Sequence, residues 1–195
     1  MSSSTKDPYS VPAFSVTNKL ARTAWAVCYL LLFRLSPRPL FAWRRFLLRC
    51  FGATLGRGVA VYPSAKIWAP WNLHCADMVA IANGAVIYNP SLIRLGSHAI
   101  ISQDAFLCGA SHDYNDPAFS LYSKEISICA YAWVCARACV LPGVTINEGA
   151  VLGMAAVAAT DLNAWMVYAG SPAKYIRNRI HAAQPINGLV AEELL

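Results

Sequence analysis

His112 is the side chain best suited to general-base chemistry in this sequence, because of both its type and its place. It lies near the start of the segment SHDYNDPAFSLYSKE (111–125), which is polar and aromatic although 57% of the chain is hydrophobic. A neutral imidazole accepts a proton readily near neutral pH, as an attacking hydroxyl requires. Asp113 and Glu125 belong to the same segment, and either carboxylate could orient the imidazole or simply interact with water. The segment predicts a functional loop, in which His112 is either a general base or a surface or structural histidine.

The seven cysteines favour packing over catalysis. Their number is odd, no CxxC pair occurs, and most have apolar neighbours, at positions 28, 50, 75, 108, 129, 135 and 139. This usage predicts reduced thiols in a cytoplasmic protein. No cysteine has a histidine at a spacing that indicates a nucleophile and its base, so we expect no nucleophilic cysteine.

A six-residue repeat predicts the fold that must position His112. From residue 128 the sequence divides into ICAYAW, VCARAC, VLPGVT, INEGAV, LGMAAV, AATDLN, AWMVYA and GSPAKY, and shorter blocks begin at Cys75 and Leu95 with a phase slip of two near Pro90. The first position is mostly aliphatic and the fifth mostly small. Neither a helix nor a strand has a period of six, whereas three hexads make one triangular coil of a parallel β-helix. A β-sandwich or coincidence would not produce eight consecutive hexads.

The N-terminal block differs from the rest of the chain in charge. Residues 1–57 carry nine Lys and Arg and one acid, whereas residues 58–195 carry seven Lys and Arg and nine acids. The longest apolar run, 24–33, is shorter than the roughly 20 residues that span a bilayer. We therefore divide the chain into a flexible N-terminus at 1–16, a basic helical segment at 17–57, an all-β solenoid at 58–173 with a loop at 111–126, and a short C-terminal helix and tail at 174–195.

The basic segment has two interpretations. It either caps the first coil, as terminal repeats require, or lies on an anionic membrane surface. The second interpretation would place a cytoplasmic protein at the inner face of the plasma membrane. Neither zinc-finger spacing nor an RNA-binding aromatic motif accompanies the charge, so we expect no nucleic acid partner.

Several motifs extend the repeat into a resemblance. The hexads, the SHDYNDPAF loop, VLPGVTINEGAV and GSPAKYI resemble the hexapeptide-repeat acyltransferases of the galactoside/maltose O-acetyltransferase branch. SPRPLFAWRRFLLRCFGA, PSAKIWAPWNL, IYN and SQDAFLCGASHDYNDPAF are most similar to colanic acid biosynthesis acetyltransferases, so the resemblance covers about residues 17–180. It implies a left-handed β-helix and a homotrimer with sites between subunits. It also implies acetyl transfer from acetyl-CoA, as co-substrate, to a hydroxyl of a sugar or lipid-linked saccharide in exopolysaccharide biosynthesis.

The resemblance assigns roles to single residues. His112 matches the catalytic histidine, Asn89 in IYN matches a position that holds the acceptor, and Trp133 matches a tryptophan that lines the site and would also suit an intersubunit seam. Relatives often have a Gly-Ser pair where this chain has Cys135-Ala136. That difference removes a hydroxyl and leaves the backbone N–H of either residue to stabilise the oxyanion.

The same resemblance implies an acetyl-CoA site along the coils and at a motif that follows them. Its residues would be Cys135, Ala136, Met154, Ala155, Gly170, Ser171, Pro172 and Lys174. Arg177 or Arg179 would join Lys174 in binding the phosphates.

Two alternatives belong to other classes: a non-catalytic hexapeptide-repeat scaffold and a γ-carbonic-anhydrase-like module. The anhydrase needs three zinc-binding histidines across coils. His74, His98 and His112 show neither an HxxxxH pair nor a matching phase. A scaffold would need neither the His112 loop nor the motif after the coils, so the sequence favours an acetyltransferase that requires no metal.

Overall fold

The computed structural model describes residues 14–180 and begins with two helices. Helix α1 spans Val16–Cys28 and continues into a π-helical turn at Tyr29–Phe33, and helix α2 spans Phe41–Cys50. No helix within the described range is long and apolar enough to cross a membrane.

Short strands then form three sheets, one on each side of a solenoid. Sheet A contains β1 (Thr54–Leu55), β4 (Leu73–Cys75), β7 (Ile93–Leu95), β12 (Ile126–Ile128) and β15 (Thr145–Ile146). Sheet B contains β2 (Ala60–Val61), β5 (Ala80–Ile81), β8 (Ile100–Ile101), β13 (Trp133–Val134), β16 (Val151–Leu152), β18 (Met166–Ala169) and β19 (Lys174–Asn178). Sheet C contains β3 (Lys66–Ile67), β6 (Val86–Tyr88), β9 (Phe106–Cys108), β14 (Cys139–Val140) and β17 (Val157–Ala158). Successive coils pair in parallel, which confirms the solenoid prediction.

The register explains the phase slip in the hexads. His74 pairs with Arg94, so an early coil takes 20 residues, whereas Ser127 pairs with Thr145, so a later coil takes 18. In the first coil the chain passes from sheet C to sheet A through a 3₁₀ turn at Pro70–Asn72. Each early coil thus has two residues more than three hexads, and the same hexad positions still point inward.

Both repeating columns of the hexads form the core. The first positions Ile128, Val134, Val140, Ile146, Leu152 and Ala158 are buried, as are the fifth positions Ala132, Ala138, Val144, Ala150 and Ala156. A narrow interior has room for one aliphatic and one small side chain per hexad, because protein cores are close-packed.

The two helices close the open end of the solenoid by hydrogen bonding to all three sheets. Strands β1, β2 and β3 are edge strands, whose carbonyl groups would otherwise lack partners. Trp25 Nε1 of α1 donates to the Ile67 carbonyl oxygen at 2.7 Å. Three arginines of α2 serve the other two sheets: Arg44 Nε donates to the Val61 oxygen at 2.6 Å, Arg45 Nη1 to the Val59 oxygen at 2.9 Å and Arg49 Nη2 to the Leu55 oxygen at 2.8 Å. Much of the charge in this block therefore serves the fold.

The chain after the last coil differs from the prediction of a C-terminal helix. Lys174–Asn178 form β19, which runs antiparallel to β18 at the edge of sheet B. The antiparallel return satisfies backbone groups of an edge strand without another coil, so the helix prediction is wrong over these residues. Residues 181–195 and 1–13 lie outside the described range.

Candidate active site

His112 stands at the end of a hairpin that leaves the solenoid between sheets C and A. Strands β10 (Ala110–His112) and β11 (Leu121–Ser123) pair antiparallel, with His112 opposite Leu121. The His112 ring stacks on the Phe119 ring at a centroid distance of 4.5 Å and an angle of 8°. Phe119 adopts a left-handed backbone conformation with φ of 47°, which turns the chain back toward His112.

The imidazole of His112 is oriented by a backbone carbonyl. Its Nδ1 lies 2.7 Å from the Phe119 carbonyl oxygen. A carbonyl oxygen only accepts hydrogen bonds, so Nδ1 carries the proton in the tautomer that makes this bond. In the neutral ring, Nε2 then has the lone pair, and His112 is exposed. The hairpin therefore exposes a ring nitrogen that can accept a proton.

The two carboxylates considered as orienting groups have other partners. Asp113 Oδ1 accepts from the Asn115 N–H at 2.9 Å, which stabilises the turn of the hairpin. Glu125 Oε1 forms an ion pair with Arg94 Nε at 2.6 Å. The Phe119 carbonyl could not be predicted from the sequence, because every residue type has the backbone carbonyl that makes this contact.

Asn89 occupies a structural position, contrary to the expectation that it holds the acceptor. It is fully buried. Its Oδ1 accepts from the Ala69 N–H at 2.9 Å, and its Nδ2 donates to the Ala69 oxygen at 2.7 Å. The amide thus takes the place of a backbone partner for Ala69 at the corner between sheets C and A, and neither of its polar atoms faces the solvent.

Trp133 lies on the outer face of sheet B. Its Nε1 donates to Ser102 Oγ at 2.8 Å, and 41% of the residue is exposed. Ile100, directly opposite on β8, is 43% exposed. Both large apolar side chains therefore present an uncovered surface on one side of the subunit.

The residues expected to bind acetyl-CoA form a line along the corner between sheets B and C. The Ala155 N–H donates to the Ala136 oxygen at 3.0 Å, and the Val157 N–H donates to the Gly170 oxygen at 2.9 Å. Ala136, Ala155 and Gly170 thus occupy this corner in successive coils with small side chains. Ser171 and Pro172, joined by a cis peptide bond, follow Gly170 in the same turn, and Met154 beside Ala155 is 73% exposed.

The bases beyond this corner divide into two groups. Lys174 pairs with Ala169 at the start of β19, and Arg177 pairs with Val167 further along, and both side chains are exposed. Arg179 Nη1 instead donates to the carbonyl oxygens of Tyr131 and Gly149 at 2.8 and 2.9 Å. Arg179 therefore stabilises the corner between sheets A and B.

A cavity of about 360 Å³ lies between α1 and sheet C. Its lining includes Trp25, Tyr29, Trp68 and Tyr88 with the bases Arg22 and Lys66. The Arg22 guanidinium lies 4.4 Å from the centroid of the Trp68 ring. Tyr88 pairs with Cys108, four residues before His112. The sequence pattern gave no sign of this cavity, because α1 and sheet C are far apart in the chain.

The cysteines are free thiols, and burial makes several of them less reactive. Burial raises the pKa of the Cys75 thiol to about 12 and also raises the pKa of Cys135 beside Ala136. A nucleophilic cysteine needs the opposite shift. Within residues 14–180, no group of three or more His, Cys, Asp or Glu residues could hold a metal ion.

The chain is similar to several acetyltransferases. It is 36% identical over 173 residues to WcaF of Escherichia coli K12, named as a candidate acetyltransferase of colanic acid biosynthesis, with 88% of this chain and 95% of WcaF covered. It is 24% identical over 137 residues to galactoside O-acetyltransferase of the same strain, with 69% and 68% covered. The hexapeptide-repeat acetyltransferase VCA0836 of Vibrio cholerae has the same fold, with a TM-score of 0.78, 22% identity and coverage of 86% and 95%. No protein-family model matches the chain.

The solenoid, its histidine hairpin and these relatives define an acetyltransferase of the hexapeptide-repeat class. Within that class, the chain belongs to the family that includes WcaF.

Proposed function

We propose that the protein transfers an acetyl group from acetyl-CoA to a sugar hydroxyl in exopolysaccharide biosynthesis, with His112 as general base. The observation that carries this proposal is the 2.7 Å contact between His112 Nδ1 and the Phe119 oxygen, because it leaves Nε2 to accept a proton. The donor is supported by two similar structures: VCA0836 complexed with acetyl-CoA and galactoside acetyltransferase complexed with coenzyme A. The named role of WcaF supports the polysaccharide acceptor.

The reaction follows from the hydrogen bonds at the site. His112 Nε2 removes the proton of the sugar hydroxyl as its oxygen attacks the thioester carbonyl. The resulting oxyanion needs a donor fixed in place. The Cys135 N–H is already donated to the Leu152 oxygen at 2.9 Å, so of the two candidates the Ala136 N–H is the oxyanion donor. When the C–S bond breaks, the CoA sulfur takes the proton from His112, and no acyl-enzyme forms.

Acetyl-CoA would lie along the corner between sheets B and C. Small side chains at Ala136, Ala155 and Gly170 leave room there for an extended pantetheine arm. Lys174 would bind a phosphate as a compact point charge, and Arg177 would bind one through its planar guanidinium. Asp113 keeps a supporting role, because its carboxylate holds the turn of the hairpin that carries His112.

The site would form between subunits of a homotrimer. His112 leaves the solenoid between sheets C and A, whereas Ala136 lies between sheets B and C, so the full length of a side of the coil separates the two corners. A neighbouring subunit can bring its corner to the hairpin without distorting either chain. Ile100 and Trp133 supply an apolar surface for that contact.

The cavity between α1 and sheet C would hold the acceptor. A sugar ring presents apolar C–H faces that pack against aromatic rings, which Trp68 and Tyr88 provide. Arg22 and Lys66 would favour an acceptor that carries phosphate, as nucleotide-linked and lipid-linked sugars do. We also propose that the protein works in the cytoplasm at the inner face of the plasma membrane, where lipid-linked saccharides would be available.

Acetyl-CoA turnover measured against a panel of nucleotide-linked and lipid-linked sugars tests the function. We expect at least one member of the panel to gain a single acetyl group, detected by mass spectrometry of the product. Unlinked sugars provide the control, since they lack the phosphate that Arg22 and Lys66 would bind. A protein that binds no acetyl-CoA in calorimetry would contradict the proposal.

Two inactive variants should restore activity to each other if the site is shared. Ala136→Trp would block the acetyl-CoA corner and His112→Ala would remove the base, so each alone should be inactive. In randomly mixed trimers, about a quarter of the sites would combine an intact His112 with an intact Ala136 from the neighbour. Co-expression should therefore give about a quarter of wild-type turnover. Light scattering should show mixed particles with a mass of three times 21.2 kDa. If such particles recover no activity, both residues of a site lie in one chain.

A further inference from the structure

The helical cap, residues 16–50, has an apolar outer surface. Packing on the solenoid does not explain this surface, because the inner side of the cap already makes those contacts. Ten large apolar residues between Val16 and Phe46 are exposed by 37% to 73%. Trp25 and Phe33 are buried on the opposite side of the same segment. We call these ten residues, together with the exposed bases among them, the end face. The ten are Val16, Leu20, Val27, Leu30, Leu31, Leu32, Leu35, Leu40, Trp43 and Phe46. An exposed apolar surface of this extent is uncommon on a soluble monomer and marks an interaction site.

The charge around the end face has one sign. No acidic residue occurs between Asp7 and Asp77, whereas Lys19, Arg34 and Arg38 are exposed within the segment. Arg44, Arg45 and Arg49 donate to backbone carbonyl oxygens, and Arg38 Nη2 donates to the Tyr62 hydroxyl at 3.3 Å. We therefore assign the contact with a charged partner to Lys19 and Arg34. An apolar surface surrounded by positive charge complements the hydrocarbon and anionic headgroups of a lipid surface.

The aromatic residues of the end face agree with that partner. Trp43 is 37% exposed, stacks on Phe46 at 5.7 Å and donates Nε1 to the Leu32 carbonyl oxygen at 3.0 Å. A tryptophan with its ring half exposed and its N–H satisfied suits the boundary between headgroups and acyl chains. A second copy of this chain is a poorer occupant, because it would bring the same bases against each other.

We propose that the end face docks the protein onto anionic lipid, with α1 lying in the plane of the interface and the solenoid standing away from it. This inference gives a structural basis to the proposed membrane location but does not depend on acetyl transfer, because His112 and the acetyl-CoA corner lie outside the end face. The partner is a lipid surface of negative charge rather than one particular lipid.

Co-sedimentation of the full chain with vesicles tests the docking surface. We expect binding to vesicles of equal parts phosphatidylglycerol and phosphatidylcholine at about 0.1 M salt, and much weaker binding at about 1 M salt, where the screening length falls to about 3 Å. Vesicles of phosphatidylcholine alone should bind far less. Lys19→Gln and Arg34→Gln should each lower the affinity for anionic vesicles about fivefold.

The apolar contribution has a matched control at the other end of the molecule. Leu31→Ser and Leu35→Ser remove side chains that are 62% and 73% exposed, so the fold should tolerate them, yet each should lower vesicle affinity about tenfold or more. Ile180→Ser removes a side chain that is 69% exposed beyond the last coil and should leave binding unchanged. Thermal unfolding of each variant verifies that the cap remains folded.

Three results would overturn the proposal. The intact protein could fail to bind anionic vesicles at low salt, or Ile180→Ser could weaken binding as much as Leu31→Ser. Light scattering could instead show particles larger than a trimer that Leu31→Ser dissociates, which would assign the end face to a second copy. Turnover of a water-soluble acceptor, measured in parallel, separates this inference from the proposed function. If the intact protein turns over the acceptor but does not bind vesicles, the docking surface alone is rejected. If it binds vesicles but does not turn over the acceptor, acetyl transfer alone is rejected.

Discussion

Replacing His112 by alanine should lower acetyl transfer by about 10²–10⁴-fold, the usual contribution of a general base. Acetyl-CoA affinity should change little, because the expected CoA corner lies at a different edge of the coil. The rate of product formation under saturating substrates and the dissociation constant from calorimetry check the two parts of this expectation.

A second variant separates the base from the hairpin. His112→Asn retains an N–H donor that can reach the Phe119 oxygen but offers no nitrogen lone pair, so it should be as inactive as His112→Ala. His74→Ala is the matched control, since His74 lies on sheet A beside Arg94 and should retain full turnover. Wild-type turnover in His112→Asn would show that His112 only shapes the hairpin.

Replacing Arg44 by methionine should cost about 3 kcal/mol or more of stability, the largest effect we expect from a single residue outside the active site. Arg44 is fully buried and donates to the Val61 oxygen, to Ser36 Oγ at 2.8 Å and to the Pro37 oxygen at 2.9 Å. Burial lowers the pKa of the guanidinium from its usual value, which is so far above neutral that the group remains charged. Methionine fills similar volume but leaves these acceptors buried without donors.

Arg45→Met serves as the comparison in the same helix. Arg45 is only partly buried and donates to the Val59 oxygen at 2.9 Å, so its loss should cost about 1 kcal/mol. Urea unfolding followed by circular dichroism measures both changes under identical conditions. Equal midpoints for Arg44→Met and the wild type would mean that the first coil does not need its carbonyls satisfied by α2.

The solenoid could be predicted from the sequence because each hexad fixes one aliphatic and one small inward side chain. This constraint acts on side-chain size, which is visible in the residue types from Ile128 to Leu162. The loop that leaves the coil at His112 could be predicted for the same reason, since a polar stretch cannot fill inward positions, but the pairing of its two arms as a hairpin could not. The extra residues of the early coils were visible only as a phase slip, whose structural cause became clear from the strand register.

Other features depend on contacts between distant parts of the chain. Asn89 has a residue type equally suited to binding a sugar or to replacing a backbone partner, and only the position of Ala69 decides between them. The strand at Lys174–Asn178 forms because the edge of β18 lies beside it, although the segment has no strand-like alternation of its own. Phe119 orients His112 through a carbonyl oxygen that every residue has.

The arginines that contact the first coil also prevent the solenoids of separate molecules from joining end to end. A stack of parallel coils is a template for its own extension, because each edge displays the backbone pattern that the next coil would bind. If these edges were bare, the end of one molecule could add to the end of another and continue without limit, as strands do in a fibril. Arg44, Arg45 and Arg49 occupy the carbonyls that such growth would use. Their positive charge also makes two such ends repel, so the cap keeps each molecule finite.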